Sequence, residues 1–308
     1  MQLASPSAKA ERRAAILSLV VGIILLMIKF AAYFKTNSAA IFSDAVESIV
    51  NVIAGGFALY SVILAHHPAD RDHPYGHGKI EFLSAGFEGG MIILAALFIA
   101  AHAVEKLIYG AAVQNADIGL VLLAIAMLAN GGLGIYLIQI GRRSQSFTLE
   151  ADGRHLFADA MTSVAVLIAL AAVKITKLDW IDPVAAIVVA IYITLMAGGL
   201  LRRSAAGLMD EQDHADDAMI RGILNSHIGP GNKAPTICSF HKLRHRHSGR
   251  YHWVDFHILV PAELNIAEGH RIASAIEYEI ELALGEGNAT AHVEPCQMPE
   301  CAACAKKK

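Results

Sequence analysis

Six apolar stretches dominate this chain and limit what it can fold into. They run over residues 14–34, 39–65, 83–109, 118–140, 156–175 and 181–201. Each is near or above the roughly 20 residues that an α-helix needs to cross a hydrocarbon core about 30 Å thick. A helix is the form that satisfies its backbone hydrogen bonds within one segment in such a medium. Composition agrees, with 55 % hydrophobic and only 17 % charged residues and a mean hydropathy of +0.46. A net charge of −3 gives no basic excess of the kind that nucleic-acid binding requires. The first stretch follows Arg12 and Arg13 as a signal peptide would. Its apolar core is longer than a secretory h-region, and it is taken as a mature helix.

Basic residues orient the spans. Arg12, Arg13, Arg71, Lys79, Arg142, Arg143, Arg154, Arg202 and Arg203 fall on one side, against Lys35, Lys106, Lys174 and Lys177 on the other. By the positive-inside rule the first set is cytoplasmic, and so are both termini. The expected organisation is a cytoplasmic segment over 1–13, a transmembrane unit over 14–208, a soluble unit over 209–295 and a cysteine-containing tail over 296–308.

Hydropathy falls after about Leu208, and the periodicity changes. "DDAMIRGILNSHI" has helical spacing, and "TICSFHKLRHRHSGRYHWVDFHILV" is expected to be a hairpin turning at Ser248-Gly249. In its second strand Val254, Phe256, Ile258 and Val260 alternate with Asp255 and His257, the pattern of a half-buried strand. An amphipathic helix over "NIAEGHRIASAIEYEIELAL" and a short strand over "ATAHVEP" complete an αββαβ order. That order suits a small sheet with its helices on one face.

Within the second stretch, Asp44, Glu47 and Asn51 recur at offsets of 0, 3 and 7 and share one helical face. Acids in a spanning helix cost about 2.5–3.5 kcal/mol each on insertion scales, so they mark function by default. The fifth stretch opens with His155 and Asp159 at i,i+4 in "DGRHLFADAMTS". Two such pairs on two helices can offer four ligands to one divalent ion. Imidazole suits zinc and other first-row metals, while carboxylate and amide oxygens extend the choice to manganese or iron. The competing reading is a polar network that only joins helices; the matching His-Asp pair favours a metal or proton path.

"SDAVESIVN", "HLFAD", "HPYGHGK" and the closing "HVEPC" resemble, in this order, the cation diffusion facilitator family. The resemblance covers nearly the whole chain. It implies a homodimeric divalent metal cation/proton antiporter with six transmembrane helices and a cytoplasmic ferredoxin-like domain that also binds metal. The implied transport site is Glu47, Asn51, His155 and Asp159. It departs from zinc exporters whose second-span pair is commonly Asp-Asp or His-Asp, since Asn51 removes one formal charge. Asp44 either restores an anionic contact, relays a proton, or makes a helix-packing hydrogen bond. The resemblance further implies a loop metal site at Asp70, His73 and His77. It also implies a Lys79–Asp210 interlock between the dimer's halves, and a regulatory metal site at His241, His257, His270, His292 and Glu294.

His245, His247 and His252 are surplus to these sites and are assigned to the surface of a basic hairpin edge. Cys296, Cys301 and Cys304, spaced C-x4-C-x2-C, read as a soft-metal tail or as incidental thiols, and Cys238 as a packing residue.

The expected activity is export of cytoplasmic Zn2+, or Mn2+, Fe2+, Co2+ or Cd2+, in exchange for protons, across a bacterial inner membrane. The cation is both substrate and regulatory ligand, and no catalytic cofactor is expected. The alternatives are a membrane di-iron oxidase of the desaturase kind and a metal sensor that does not transport. His73/His77 and His241/His245 are H-x3-H patterns that give the di-iron reading some support. The H-x2-H-H boxes such enzymes use are absent, and so is H-E-x-x-H.

Overall fold

The computed structural model describes residues 6–36, 39–109, 116–176, 178, 180–229, 233–297 and 301. The chain divides into two compact units, Met1–Ala205 and Ala206–Lys308.

The first unit is helical: α1 (Pro6–Thr36), α2 (Ala39–Ala65), α3 (Ile80–Tyr109), α4 (Ala116–Ser144), α5 (Phe147–Thr176) and α6 (Ile181–Leu208). These match the six apolar stretches, extended by polar end turns. Among the described residues, four segments are long and apolar enough to cross a membrane: Ala8–Ala31, Ile80–Tyr109, Ala124–Ser144 and Pro183–Leu208. A shorter apolar helix covers Asn51–Ala65. The two helices outside this set, α2 and α5, carry the candidate site residues. Large side chains such as Leu94, Phe98, Ile168 and Leu195 are more than half exposed on these helices, which in water would be a severe burden and in lipid is the expected outward face.

α5 is the helix on which the others converge. Its backbone meets α4 directly, because Gly134, Gly141 and Gly153 leave no side chain between them. A Cβ on Gly153 would lie 2.7 Å from the Ile138 nitrogen and 2.8 Å from the Gly134 carbonyl oxygen. Ser18 on α1 donates to Asp152 at 2.8 Å. Glu81, at the start of α3, accepts from the Ser146 hydroxyl at 2.9 Å and the Thr148 amide at 3.2 Å. It thereby satisfies donors at the N-terminus of α5 that the helix itself leaves open. Ala151 and Ala158 of α5 pack with Ile92 of α3 and Ile193 and Ala197 of α6.

The second unit has the order α7 (His214–Ser226), β1 (Ser239–Ser248), β2 (Tyr251–Val260), α8 (Ile266–Leu284), β3 (Gly287–Pro295). The expected αββαβ order is observed. The sheet runs β1-β2-β3, with β1 antiparallel and β3 parallel to β2. The hairpin turns on Gly249 and Arg250, one residue later than expected, because Gly249 supplies the positive φ of +63°. Asp213 caps α7 by accepting from the Ala215 amide at 2.7 Å, and Asn265 with Glu268 forms a capping box on α8.

The core lies on one face of this sheet, where Val254, Phe256, Ile258 and Val260 meet Ile220 and Leu224 of α7 and Ala273, Ile276 and Ile280 of α8. One irregularity matters for function. His241 pairs with His257 but Arg244 pairs with Asp255, so β1 carries an extra residue between them. Lys242 takes it up at φ +52°. This bulge reverses the alternation: His241 stands on the open face, whereas Leu243, His245 and His247 face the core side.

The backbone contact between α4 and α5 generates a prediction. Gly153→Ala should destabilise the purified protein by at least the 1–3 kcal/mol of ordinary overpacking, since backbone atoms cannot yield as a side chain can. Thermal unfolding in detergent should fall by several degrees, and an unchanged midpoint would contradict the close approach.

Candidate metal centres

Asn51 and the α5 pair meet within the helical unit. The Asn51 carboxamide donates through Nδ2 to Asp159 Oδ2 at 2.8 Å. Its Oδ1 lies 3.0 Å from His155 Nε2. His155 Nδ1 is 3.7 Å from Asp159 Oδ1, one helical turn away. His155 is buried, and Asp159 partly so. One amide, one imidazole and one carboxylate therefore converge from two helices, as the paired i,i+4 spacing anticipates. Glu47 lies on α2 one turn before Asn51, and Asp44 one turn before that; the side chains of both lie outside the described residues. Ser61 of α2 and Thr148 of α5, 3.3 Å apart, join the same two helices further along.

Glu88 of α3 was not anticipated. It is 3 % exposed, its Oε1 has no hydrogen-bond partner, and it lies close enough to Asp152 and Asp159 to feel their charges. The signal was present as an acid inside the third apolar stretch. It lacks an i,i+4 ligand neighbour, which is why spacing alone passes over it.

The loop between α2 and α3 brings Asp70, His73 and His77 together. Asp70 Oδ1 accepts from the backbone amides of Asp72 and His73 at 3.0 and 2.6 Å, which closes an Asx turn. The His73 amide in particular holds the Asp70 carboxyl below its usual range. His73 Nδ1 lies 3.2 Å from Asp70 Oδ1, and His77 Nε2 lies 3.4 Å from Asp70 Oδ2. The two rings are 4.4 Å apart. Gly76, at φ +78°, turns the chain between them. Lys79 stands just before α3 in the first unit. Asp210 lies just after α6 in the second, at φ +59° and 3.5 Å from Arg246.

On the open face of the sheet, His241, His257 and Glu294 offer ligand atoms all within 4.8 Å of one another. His257 Nδ1 is 2.7 Å from Glu294 Oε1, His241 Nε2 is 3.3 Å from Oε2, and His292 Nε2 is 3.8 Å from Oε1. The hydrogen bond from His257 is the main cause that holds the Glu294 carboxyl below its usual range. His270 does not join this group. It is exposed on α8, and α8 packs against the core face, on the other side of the sheet.

One expectation is corrected by the sheet. His245 and His252 are not on the surface: they are 5 % and 6 % exposed, because the β1 bulge turns this end of the hairpin toward α7. There they meet Asp216 and His247. Burial pushes both ring pKa values down. Cys238 is buried in a small cluster with Cys296, Cys301 and Leu259, as a packing residue would be. Its amide donates to Leu259 at 2.7 Å and that of Cys296 donates to Val260 at 2.7 Å, so the two cysteines bracket the end of β2. Cys301 joins them, with the three sulfurs within 4.8 Å of one another. Cys304 lies outside the described residues.

Comparison with known proteins identifies the family. Residues 15–209 match the cation efflux transmembrane domain, and residues 231–296 match the cytoplasmic domain of cation efflux proteins. An uncharacterised transporter from Synechocystis sp. is 33 % identical over 294 residues, 96 % of this chain and 93 % of the relative. The cation-efflux pump FieF of Shewanella oneidensis is 26 % identical over 91 % of this chain and 93 % of its own. FieF of Escherichia fergusonii is 28 % identical over 93 % of each. With a family match over most of its length and relatives aligned almost end to end, the chain belongs to the cation efflux family, integral membrane proteins that are transporters and not enzymes.

Proposed function

We propose that the protein exports a divalent transition-metal cation from the cytoplasm in exchange for protons, with Zn2+ the first choice and Mn2+, Fe2+, Co2+ and Cd2+ the alternatives. The observation that carries this reading is the meeting of Asn51, His155 and Asp159 between α2 and α5. These groups bond one another with no lipid-compatible alternative, and each is a metal ligand. Glu47, one turn from Asn51 on α2, is the fourth ligand. Asp44 serves the same helix as a proton relay or a packing contact.

Coupling follows from competition. His155, Asp159 and Glu47 coordinate only when deprotonated, so metal and protons exclude one another at the same atoms. Metal loads where a near-neutral cytoplasm leaves these ligands free of protons, and it leaves where a more acidic exterior supplies protons that compete for them. Rocking of helices between the two faces completes an alternating-access cycle.

In this reading all six helices span the bacterial inner membrane, with both termini cytoplasmic. The chain works as a homodimer. Asp70, His73 and His77 form a loop site, and Lys79 pairs with Asp210 to lock the membrane halves. His241, His257, His292 and Glu294 have the nitrogen and oxygen donors of a zinc-type regulatory site, and His270, turned away within its own chain, is available to a partner subunit. Cys296, Cys301 and Cys304 add thiolate capture at the tail. A metal sensor that does not transport would have no use for ligands buried between α2 and α5.

The test is metal-by-metal flux in proteoliposomes under an imposed pH gradient. The native chain should move at least one of the five cations with the gradient; absence of gradient-driven flux for all of them would overturn the proposal. His155→Ala and Asp159→Asn should weaken apparent metal affinity by more than about 100-fold, since loss of even an outer-shell partner costs about 10–100-fold. Asn51→Asp adds a second-span carboxylate. It should change the order of preference among the five cations, and an unchanged order would remove Asn51 as a selectivity ligand.

A further inference from the structure

The core-side end of the hairpin holds three imidazoles where a small α+β unit would ordinarily place aliphatic side chains. Beyond Leu243 and Val254, the β1 bulge and the pairing of His247 with His252 put His245, His247 and His252 on the core face. The first turn of α7 closes over them and supplies Asp216. His247 Nε2 lies 3.2 Å and His252 Nδ1 lies 3.1 Å from the same atom, Asp216 Oδ2. His245 contributes a third ring, with a ligand atom within 4.8 Å of those of Asp216 and His247.

A hydrogen-bonded network is the simplest alternative, and the geometry does not complete one. Asp216 Oδ2, His247 Nε2 and His245 Nε2 are all buried and make no hydrogen bond. A buried polar atom left in this condition costs about 1–3 kcal/mol, and three around one point is an unusual concentration in a native domain. One cation at their common centre would satisfy them all. Two of the separations, both from Asp216, also fit. Metal–ligand bonds of about 2.0–2.1 Å in a tetrahedron place neighbouring ligand atoms about 3.3 Å apart, close to the observed 3.1 and 3.2 Å.

We propose that Asp216, His245 and His247 bind a divalent transition metal of the zinc class, on the opposite side of the sheet from His241, His257 and Glu294, with His252, held against Asp216, as a further donor. Three imidazoles and one carboxylate select zinc, cobalt, nickel or copper over magnesium or calcium, which require oxygen ligands. With His245 and His252 almost wholly enclosed, the site has a structural character. It pins the first turn of α7, which the chain enters six residues after leaving α6 at Leu208, to the tip of the hairpin. The site does not depend on the transport reading, because none of its ligands lies in the helical unit.

The experiment uses the full chain in detergent, stripped of metal by chelation and then loaded with Zn2+ or Co2+. Zn2+ should slow amide hydrogen exchange over residues 214–218 and 245–252, in addition to any effect at 241, 257 and 294. The His245→Gln/His252→Gln double variant should bind one metal fewer per chain and lose protection at α7, while His257→Gln should keep it. The part of the Co2+ visible absorption that belongs to this site should disappear in the first variant and persist in His257→Gln. Undiminished metal content in a natively folded double variant would overturn the site. If that variant does not fold, the wild-type exchange decides alone, and absence of Zn2+ protection over 214–218 would equally overturn it.

Discussion

α5 sets the geometry of the helical unit, because every polar contact described above within the apolar helices involves it or the residues that begin it. Ser18 reaches it from α1, Asn51 and Ser61 from α2, and Glu81 from α3. α4 lies against it backbone to backbone through glycine. In a low-dielectric medium each of these bonds is hard to exchange for anything else, since water is not available to replace a lost partner. The position of His155 and Asp159 is therefore over-determined from four directions. A site that must hold a cation and then release it needs such a fixed half, against which another helix can move.

Asn51 is the link between that fixed half and α2. Both ends of its carboxamide are committed, one to Asp159 and one to His155. An aspartate at this position would accept from His155 but could only repel Asp159. The amide thus allows the polar groups to close on one another without a second carboxylate to neutralise. In the proposed transport site it also lowers the negative charge offered to a cation and leaves the anionic contribution to Glu47 and Asp159. Selectivity and the ease of closing the site would then be set by the same atom exchange, oxygen for nitrogen, at one position.

Much of this was legible from sequence because helical period and strand period are local properties. Residues at i and i+4 share a helical face whatever surrounds them. So Asn51 falls on the face of Glu47, and His155 on that of Asp159, whereas the grouping of Asp70 with His73 and His77 came from the family resemblance. The αββαβ order followed from alternation in β2 and helical spacing in α7 and α8 for the same reason. What escaped depended on non-local facts. Cys238 meets Cys296 because both flank the end of β2, across most of the second unit's sequence. His270 was grouped by resemblance with His257, and only the packing of α8 shows that the sheet separates them within one chain. Glu88 has no partner in its own helix by which spacing could pick it out.

The hairpin histidines show how far one inserted residue can redirect chemistry. Strict alternation along β1 would carry His241, Leu243, His245 and His247 on one face, leaving either a leucine in water or three imidazoles beside Glu294. The extra residue at Lys242 divides the run. His241 stays on the open face with His257 and Glu294, while His245 and His247 turn to the core beneath α7. Burial then separates the two groups chemically. The open-face residues are accessible and exchange with solvent, as suits a group that responds to a changing metal supply. The enclosed residues are short of hydrogen bonds, as suits an ion that stays. Under the proposals above, two ligand sets of similar composition would thus differ in metal exchange because of a single bulge.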